Sequence, residues 1–206
     1  MTPKYRAALF DLDDTLFDHQ ARRREALAAV GNHVAPLAGI SVRDLEAAHD
    51  AQLQRTYDAY LKGALSLAQA RTERMRELLG HFGVSCDDTL TSACEAVYRA
   101  TYDRDWRPVP GALELLASLR DLGVWIGVIT NGMQAEQEHK LRIVGLENAV
   151  DAMFVSETVG AQKPARAFFE HVLARAGFDA AECIVIGDLL ETDIQGALNT
   201  GIDAIW

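Results

Sequence analysis

The sequence of 206 residues is long enough for one ordinary domain, or for a core carrying a smaller insertion. With 49% hydrophobic and 24% charged residues it has the makeup of a packed globule, not of a disordered chain. The formal net charge of -10 argues against wrapping a nucleic acid polymer, and an anionic small ligand would need a local reversal of sign, from a divalent cation and one or two placed basic residues.

In chain order, residues 6–10 form a short apolar run with the character of a buried parallel strand. The interval from roughly 18 to 106 shows no convincing strand and reads as several helices. Leu27, Val30, Val34 and Leu37 form one apolar stripe, and Leu53, Tyr57, Tyr60 and Leu61 a second. Met75, Leu78, Leu79 and Phe82 form a third, and Leu90, Cys94, Val97 and Tyr98 a fourth. Ser41 followed by Asp44 resembles a capping box ahead of the second. Strand-like runs return at 124–129, 152–155, 183–186 and 203–206. A helix over 111–122 follows Pro110-Gly111 and aligns Leu115, Leu119 and Leu122 on one face. A helix over 164–176 carries Ala165, Phe168, Phe169, Val172, Leu173 and Ala176 at helical spacing, with Pro164 expected in its first turn and Gly177 at its end. Strands alternating with helices predict an α/β fold with a doubly wound parallel sheet over residues 1–17 and 107–206. Residues 18–106 are then an inserted helical cap, expected to sit over the end of the first strand as a lid.

The run from Met1 to Phe10 is too short for a signal peptide, and no stretch approaches the length of a membrane span. The three cysteines, Cys86, Cys94 and Cys183, show no CxxC spacing, so a reducing cytoplasm is the expected location. The six histidines are scattered without metal-ligand spacing.

In an open parallel sheet, ligands bind beyond the carboxyl ends of the strands. Asp11-Leu12-Asp13-Asp14-Thr15-Leu16 follows the first strand there, and Thr130-Asn131-Gly132 the second. Lys163-Pro164 comes shortly after the third, and Gly187-Asp188-Leu189-Leu190-Glu191-Thr192-Asp193 after the fourth. Crowded carboxylates are tolerable around a hard cation, and all-oxygen ligation favours Mg²⁺, with Asp11, Asp13, Asp188 and Asp193 as candidate metal-side acids. Asp11 can attack phosphorus. Asp13 can protonate a leaving alkoxide and then deprotonate water. The Thr130 hydroxyl, the amides of Asn131 and Gly132, and the Lys163 ammonium can hold phosphoryl oxygens. Asp14 reads as structural.

DLDDTL, TNG, KP and GDLLETD, in this order and at these spacings, resemble the motifs of haloacid-dehalogenase-like hydrolases, and the helical insertion resembles the cap of subfamily I. The resemblance covers residues 5 to about 205. It implies Asp11 as nucleophile, Asp13 as acid and base, Thr130 and Lys163 as phosphate ligands, and Asp188 and Asp193 as metal-side acids. Dehalogenases of the superfamily lack an acid two residues after the nucleophile, so Asp13 favours phosphate esters. TNGMQAEQEHKLRIVGL with SETVGAQKP is similar to pyrimidine 5'-nucleotidases, and GDLLETDIQGALNTG to N-acylneuraminate-9-phosphatase. Leu189 stands where those families commonly carry Ser or Thr.

The expected activity is Mg²⁺-dependent hydrolysis of a small phosphorylated metabolite, a nucleotide or sugar phosphate, through a phosphoaspartyl intermediate. A phosphomutase or phosphotransferase with the same intermediate, and a catalytically silent metabolite-binding module, remain open beside it. His19, on the exit from the nucleophile loop, and Arg23, within Arg22-Arg23-Arg24, are candidate substrate contacts, set against a plain solvated face. Neither a nucleic acid nor a membrane is an expected partner, and the chain is expected to be a monomer or homodimer.

Overall fold

Ala7, Ala8, Leu9 and Phe10 are all buried and form the central strand of a five-stranded parallel sheet. The computed structural model describes residues 3–61 and 63–206, without the side chains of Gln54 and Leu61. In chain order the elements are β1 (Ala7–Phe10), α1 (His19–His33), α2 (Val42–Leu61), α3 (Leu67–His81), α4 (Asp88–Tyr102), α5 (Ala112–Asp121), β2 (Trp125–Thr130), α6 (Gln134–Ile143), β3 (Ala152–Val155), α7 (Ser156–Val159), α8 (Arg166–Ala176), β4 (Cys183–Ile186), α9 (Gln195–Asn199) and β5 (Asp203–Ile205). A π-helical turn over Leu190–Ile194 leads into α9. The chain divides into two units, Met1–His19 with Trp106–Trp206, and Gln20–Asp105.

The first unit carries the sheet, in the order β3-β2-β1-β4-β5. Register places Phe10 beside Val128 of β2 and Ile186 of β4, and Thr130 beside Val155 of β3. The carboxyl ends of these strands therefore share one edge. The Asp11 amide donates to the Ile186 carbonyl at 2.9 Å, which carries the ladder one residue past β1 and ties the following loop to β4. Leu9, Ile129, Phe154, Phe168, Phe169, Val172 and Val185 fill a shared core against the sheet.

The α/β class and the strand positions agree with the sequence pattern, whereas one helix face and one helix start differ in this unit. On α5 the buried residues are Ala112 and Leu116, while Leu115 and Leu122 are 47% and 58% exposed. The helix meets the sheet along the line of its one small and one large residue four apart, and of the expected leucine repeat Leu119 is half-buried while Leu115 and Leu122 face outward. On α8, Phe168, Phe169 and Val172 are buried as the spacing requires, but the helix opens at Arg166. The Ala165 amide bonds Gln162 in a turn, which leaves Pro164 outside the helix. Gly177 ends it at φ 77, with its amide on the Leu173 carbonyl at 2.9 Å.

The second unit is helical. Leu27, Val30, Val34 and Leu37 are buried, as are Met75, Leu78 and Leu79 on α3 and Cys94 and Tyr98 on α4. The expected stripe on α2 is displaced: Leu45, Glu46, Ala48, His49 and Thr56 are its buried residues among the described side chains, Leu53, Tyr57 and Tyr60 are only half-buried, and Leu61 falls outside the described side chains. Glu46 takes Arg23 and Arg24 of α1, Thr56 accepts from Arg74 of α3, and His49 stacks on Tyr98 of α4, so polar contact as well as apolar packing sets the inner face. Ser41 accepts from the Asp44 amide, and a full capping box at Ser66 and Gln69 opens α3.

Gly196 on α9 tests how tightly the sheet-side layer is packed. A Cβ there would lie 2.3 Å from the Phe169 ring and 3.1 Å from the Pro164 Cα. Helix propensity alone favours alanine over glycine by about 1 kcal/mol. Phe169 is fully buried and has nowhere to move. Gly196→Ala should therefore destabilise by about 1–3 kcal/mol, read as a lower urea midpoint; an unchanged or higher midpoint would show the layer to be loose.

Candidate active site

The loop after β1 alternates anchors with acids. Leu12, Leu16 and Phe17 are buried, and the Leu16 and Phe17 amides both bond the Leu12 carbonyl. Asp14 takes a left-handed conformation at φ 63, which Asp tolerates better than most residues, and its amide donates to the Phe17 carbonyl at 2.7 Å. This tight turn holds Asp11 and Asp13 at the sheet edge.

Lys163 is 3% exposed. Its Nζ donates to Asp11 Oδ1 at 2.5 Å, to Asp193 Oδ1 at 2.6 Å and to the Ile129 carbonyl at 3.0 Å. Its backbone is clamped by Asn131: the Asn131 Nδ2 donates to the Lys163 carbonyl at 3.0 Å, and the Lys163 amide donates to Asn131 Oδ1 at 2.8 Å. The Asn131 side chain thus places the lysine. The Gly132 amide donates to Ser156 Oγ at 3.0 Å. Thr130 is 1% exposed, at the end of β2.

Asp193 is fully buried, and its second oxygen accepts from the Leu189 amide at 3.1 Å. That contact brings the Asp188 loop over the site; the Trp206 indole holds it from the other side, donating to the Asp188 carbonyl at 2.8 Å. Gly187 admits Asp193 so closely that a Cβ would lie 2.5 Å from its carboxylate.

Asp11, Asp188 and Asp193 each offer a carboxylate oxygen within 4.8 Å of the others. Burial, with the charge of Asp193, pushes the Asp11 carboxyl up to about 7, against the pull of Lys163. Burial and Asp193 also raise Asp188. Lys163 is raised in turn by Asp11 and Asp193, which outweigh the cost of burying its charge. Three carboxylates facing one ammonium leave a surplus of negative charge, and an all-oxygen donor set of this kind suits a hard divalent cation such as Mg²⁺.

Asp13 lies outside that group. Its two oxygens accept from Lys140 Nζ at 2.8 and 2.9 Å, and Oδ2 also accepts from Gln137 Nε2 at 3.2 Å. Burial acts upward on its carboxyl, but Lys140 and then His19 outweigh it and hold it down at about 2. His19 Nδ1 is 3.9 Å from Asp13 Oδ1, an electrostatic contact. Arg23 belongs to the helical unit, where its guanidinium donates to Glu46 at 2.7 Å and to Asp50 at 2.9 Å.

Gln137 and Lys140 are site residues that the sequence pattern passes over. They are 2% and 3% exposed on α6, three apart, beside the buried Leu141. Flanked by Glu136, Glu138 and His139, they have the look of a solvated helix face. The available signal was their place inside TNGMQAEQEHKLRIVGL, the stretch similar to pyrimidine 5'-nucleotidases.

The raised Asp11 has a consequence for stability. The unfolded chain ionises this carboxyl near 3.8, the folded metal-free protein near 7. Between these values the folded state keeps a proton that the unfolded state has lost, so the stabilisation is complete below 3.8 and drains away as the pH rises through about 7. Asp188 slopes the same way. Without divalent metal, the melting temperature of the wild type should fall between about pH 4 and 7, and Asp11→Asn should fall less, the gap widening across that window and levelling off above it. Parallel slopes for the two proteins would refute the buried charge conflict.

Comparison with known proteins bears on these motifs. Residues 5–201 match the haloacid dehalogenase-like hydrolase family. The chain is 31% identical over 205 residues to the HAD-hydrolase YfnB of Bacillus subtilis, covering 98% of this chain and 84% of that protein. It is 33% identical over 207 residues to the pyrimidine 5'-nucleotidase PynA of Streptococcus pneumoniae, covering 98% and 83%. A crystal structure of YfnB bound to magnesium matches the fold with a TM-score of 0.78 at 30% identity, over 99% of this chain and 89% of that one. With its parallel sheet, its clustered aspartates and a helical segment inserted after β1, this chain belongs to the haloacid dehalogenase-like hydrolase family.

Proposed function

We propose that the chain is a Mg²⁺-dependent phosphatase that hydrolyses a small phosphate monoester, a nucleotide or a sugar phosphate, through a phosphoaspartyl intermediate on Asp11. The observation that carries this reading is the buried Lys163 ammonium bridging Asp11 and Asp193, with Asp188 beside them. Lys163 fixes one oxygen of Asp11, so the other is the one to meet phosphorus. Bound among Asp11, Asp188 and Asp193, Mg²⁺ would supply charge neutralisation for the phosphoryl oxygens. Lys163, Thr130 and the backbone at Asn131 form the protein's own share of the phosphate site.

In the first half-reaction an Asp11 oxygen bonds phosphorus while the bond from phosphorus to the leaving oxygen breaks. The electron pair goes to that oxygen, which takes a proton through Asp13, protonated once the bound ester's charge counters the pull of Lys140. In the second, Asp13 takes a proton from water as the water oxygen bonds phosphorus. The bond from phosphorus to Asp11 breaks and its electron pair returns to the carboxylate. The products are an alcohol and inorganic phosphate, and both aspartates regain their starting forms. The identity shared with PynA over nearly the whole chain and the likeness of TNGMQAEQEHKLRIVGL to pyrimidine 5'-nucleotidases support a nucleoside monophosphate. The likeness of GDLLETDIQGALNTG to N-acylneuraminate-9-phosphatase supports a sugar phosphate.

The test is phosphate release with Mg²⁺ across nucleoside monophosphates, sugar phosphates and acylneuraminate 9-phosphate, ranked by kcat/KM. Asp11→Asn should lower turnover at least about a thousandfold on every ester while the protein stays folded. Substantial residual turnover would remove the nucleophile assignment. Excess chelator should stop the wild type and added Mg²⁺ restore it; full activity in chelator would rule out a metal role for the carboxylates.

A further inference from the structure

We propose that Lys140 and Gln137 are positioning residues for proton transfer, holding the Asp13 carboxylate in its working orientation beside the nucleophile. The inference rests on the phosphatase reading above and assigns it two residues that lie outside DLDDTL, TNG, KP and GDLLETD.

A buried ammonium is costly unless paired, and Lys140 is 3% exposed. It spends its charge on Asp13, contacting both oxygens at 2.8 and 2.9 Å, which stops the carboxylate from turning. The lysine is itself held from the other side: its Nζ stands 5.4 Å from the centre of the Phe17 ring, and Phe17 is fully buried in the loop that carries Asp13.

Gln137 adds the second coordinate. Its Nε2 faces three oxygens, Asp13 Oδ2 at 3.2 Å, Thr130 Oγ1 at 2.9 Å and the Asn131 carbonyl at 2.9 Å. Only the NH₂ end of the amide can meet three acceptors, so its orientation is settled. One side chain thereby joins the loop after β1 to the end of β2. Gly132 makes room for it, since a Cβ there would lie 2.6 Å from Nε2. If packing were the only need, apolar residues of the same volume would serve as well.

The test compares leaving groups. p-Nitrophenyl phosphate expels a phenolate that needs no proton, whereas an alkyl ester does. The alkyl probe is the ester of the panel above that the wild type turns over fastest. In Lys140→Met, kcat/KM on the alkyl ester should fall about 100-fold while that on p-nitrophenyl phosphate falls less than about 5-fold. Gln137→Leu should show the same bias to a smaller degree, and Lys140→Arg should recover most of the alkyl-ester activity. Thermal melting checks that each variant folds. Should Lys140→Met not fold, Lys140→Gln and Lys140→Arg carry the same comparison. Equal losses on both esters, or no loss on either, would overturn the positioning role while leaving the phosphatase reading intact. A wild type inert toward every ester in Mg²⁺ would overturn both.

Discussion

One ammonium governs the site. The Lys163 Nζ is buried between Asp11 and Asp193 and capped by the Ile129 carbonyl, so charges from two separate stretches of the sequence depend on it. Removing a partner from such a pair leaves a buried charge uncompensated, which costs far more than the pair itself gains. Much of the surrounding architecture serves this contact. Asn131 clamps the lysine's backbone, Gly187 lets Asp193 approach, and the register of β1 with β2 and β4 brings the strand ends level.

The two acids of the loop after β1 are driven in opposite directions. Asp11 is pushed up to about 7 and Asp13 held down at about 2. For a carboxylate nucleophile and an acid that must donate, that order is inverted. A cation among the three clustered carboxylates would draw Asp11 back to its charged form, and an anionic ester beside Asp13 would oppose the pull of Lys140. Both shifts therefore belong to the protein without metal or ester, and each bound charge acts against one of them.

What the sequence disclosed and what it hid follow from geometry. The parallel strands are continuous apolar runs, and the rule that ligands gather at their carboxyl ends already brings Asp11, Thr130, Lys163 and Asp188 to one edge. Lys140 and Gln137 stay hidden because their burial depends on the loop that packs over them, and a lysine among glutamates reads as solvent-facing. The leucine repeat of α5 misleads for the converse reason. Apolar spacing shows that a helix has a greasy side, but which side the sheet takes depends on the neighbour. On α2, Glu46 and His49 are buried by partners on other helices, information no local window contains.

Gly187 and Gly196 carry none of the reactive groups, yet each lies against something that cannot retreat: the Asp193 carboxylate in one case, Phe169 and the Pro164 backbone in the other. An engineer randomising this protein for a new substrate would find that these two silent positions resist substitution through the fold, where the aspartates resist it through the chemistry. The room for innovation lies in side chains that touch the substrate, while the backbone beneath them is closed to revision.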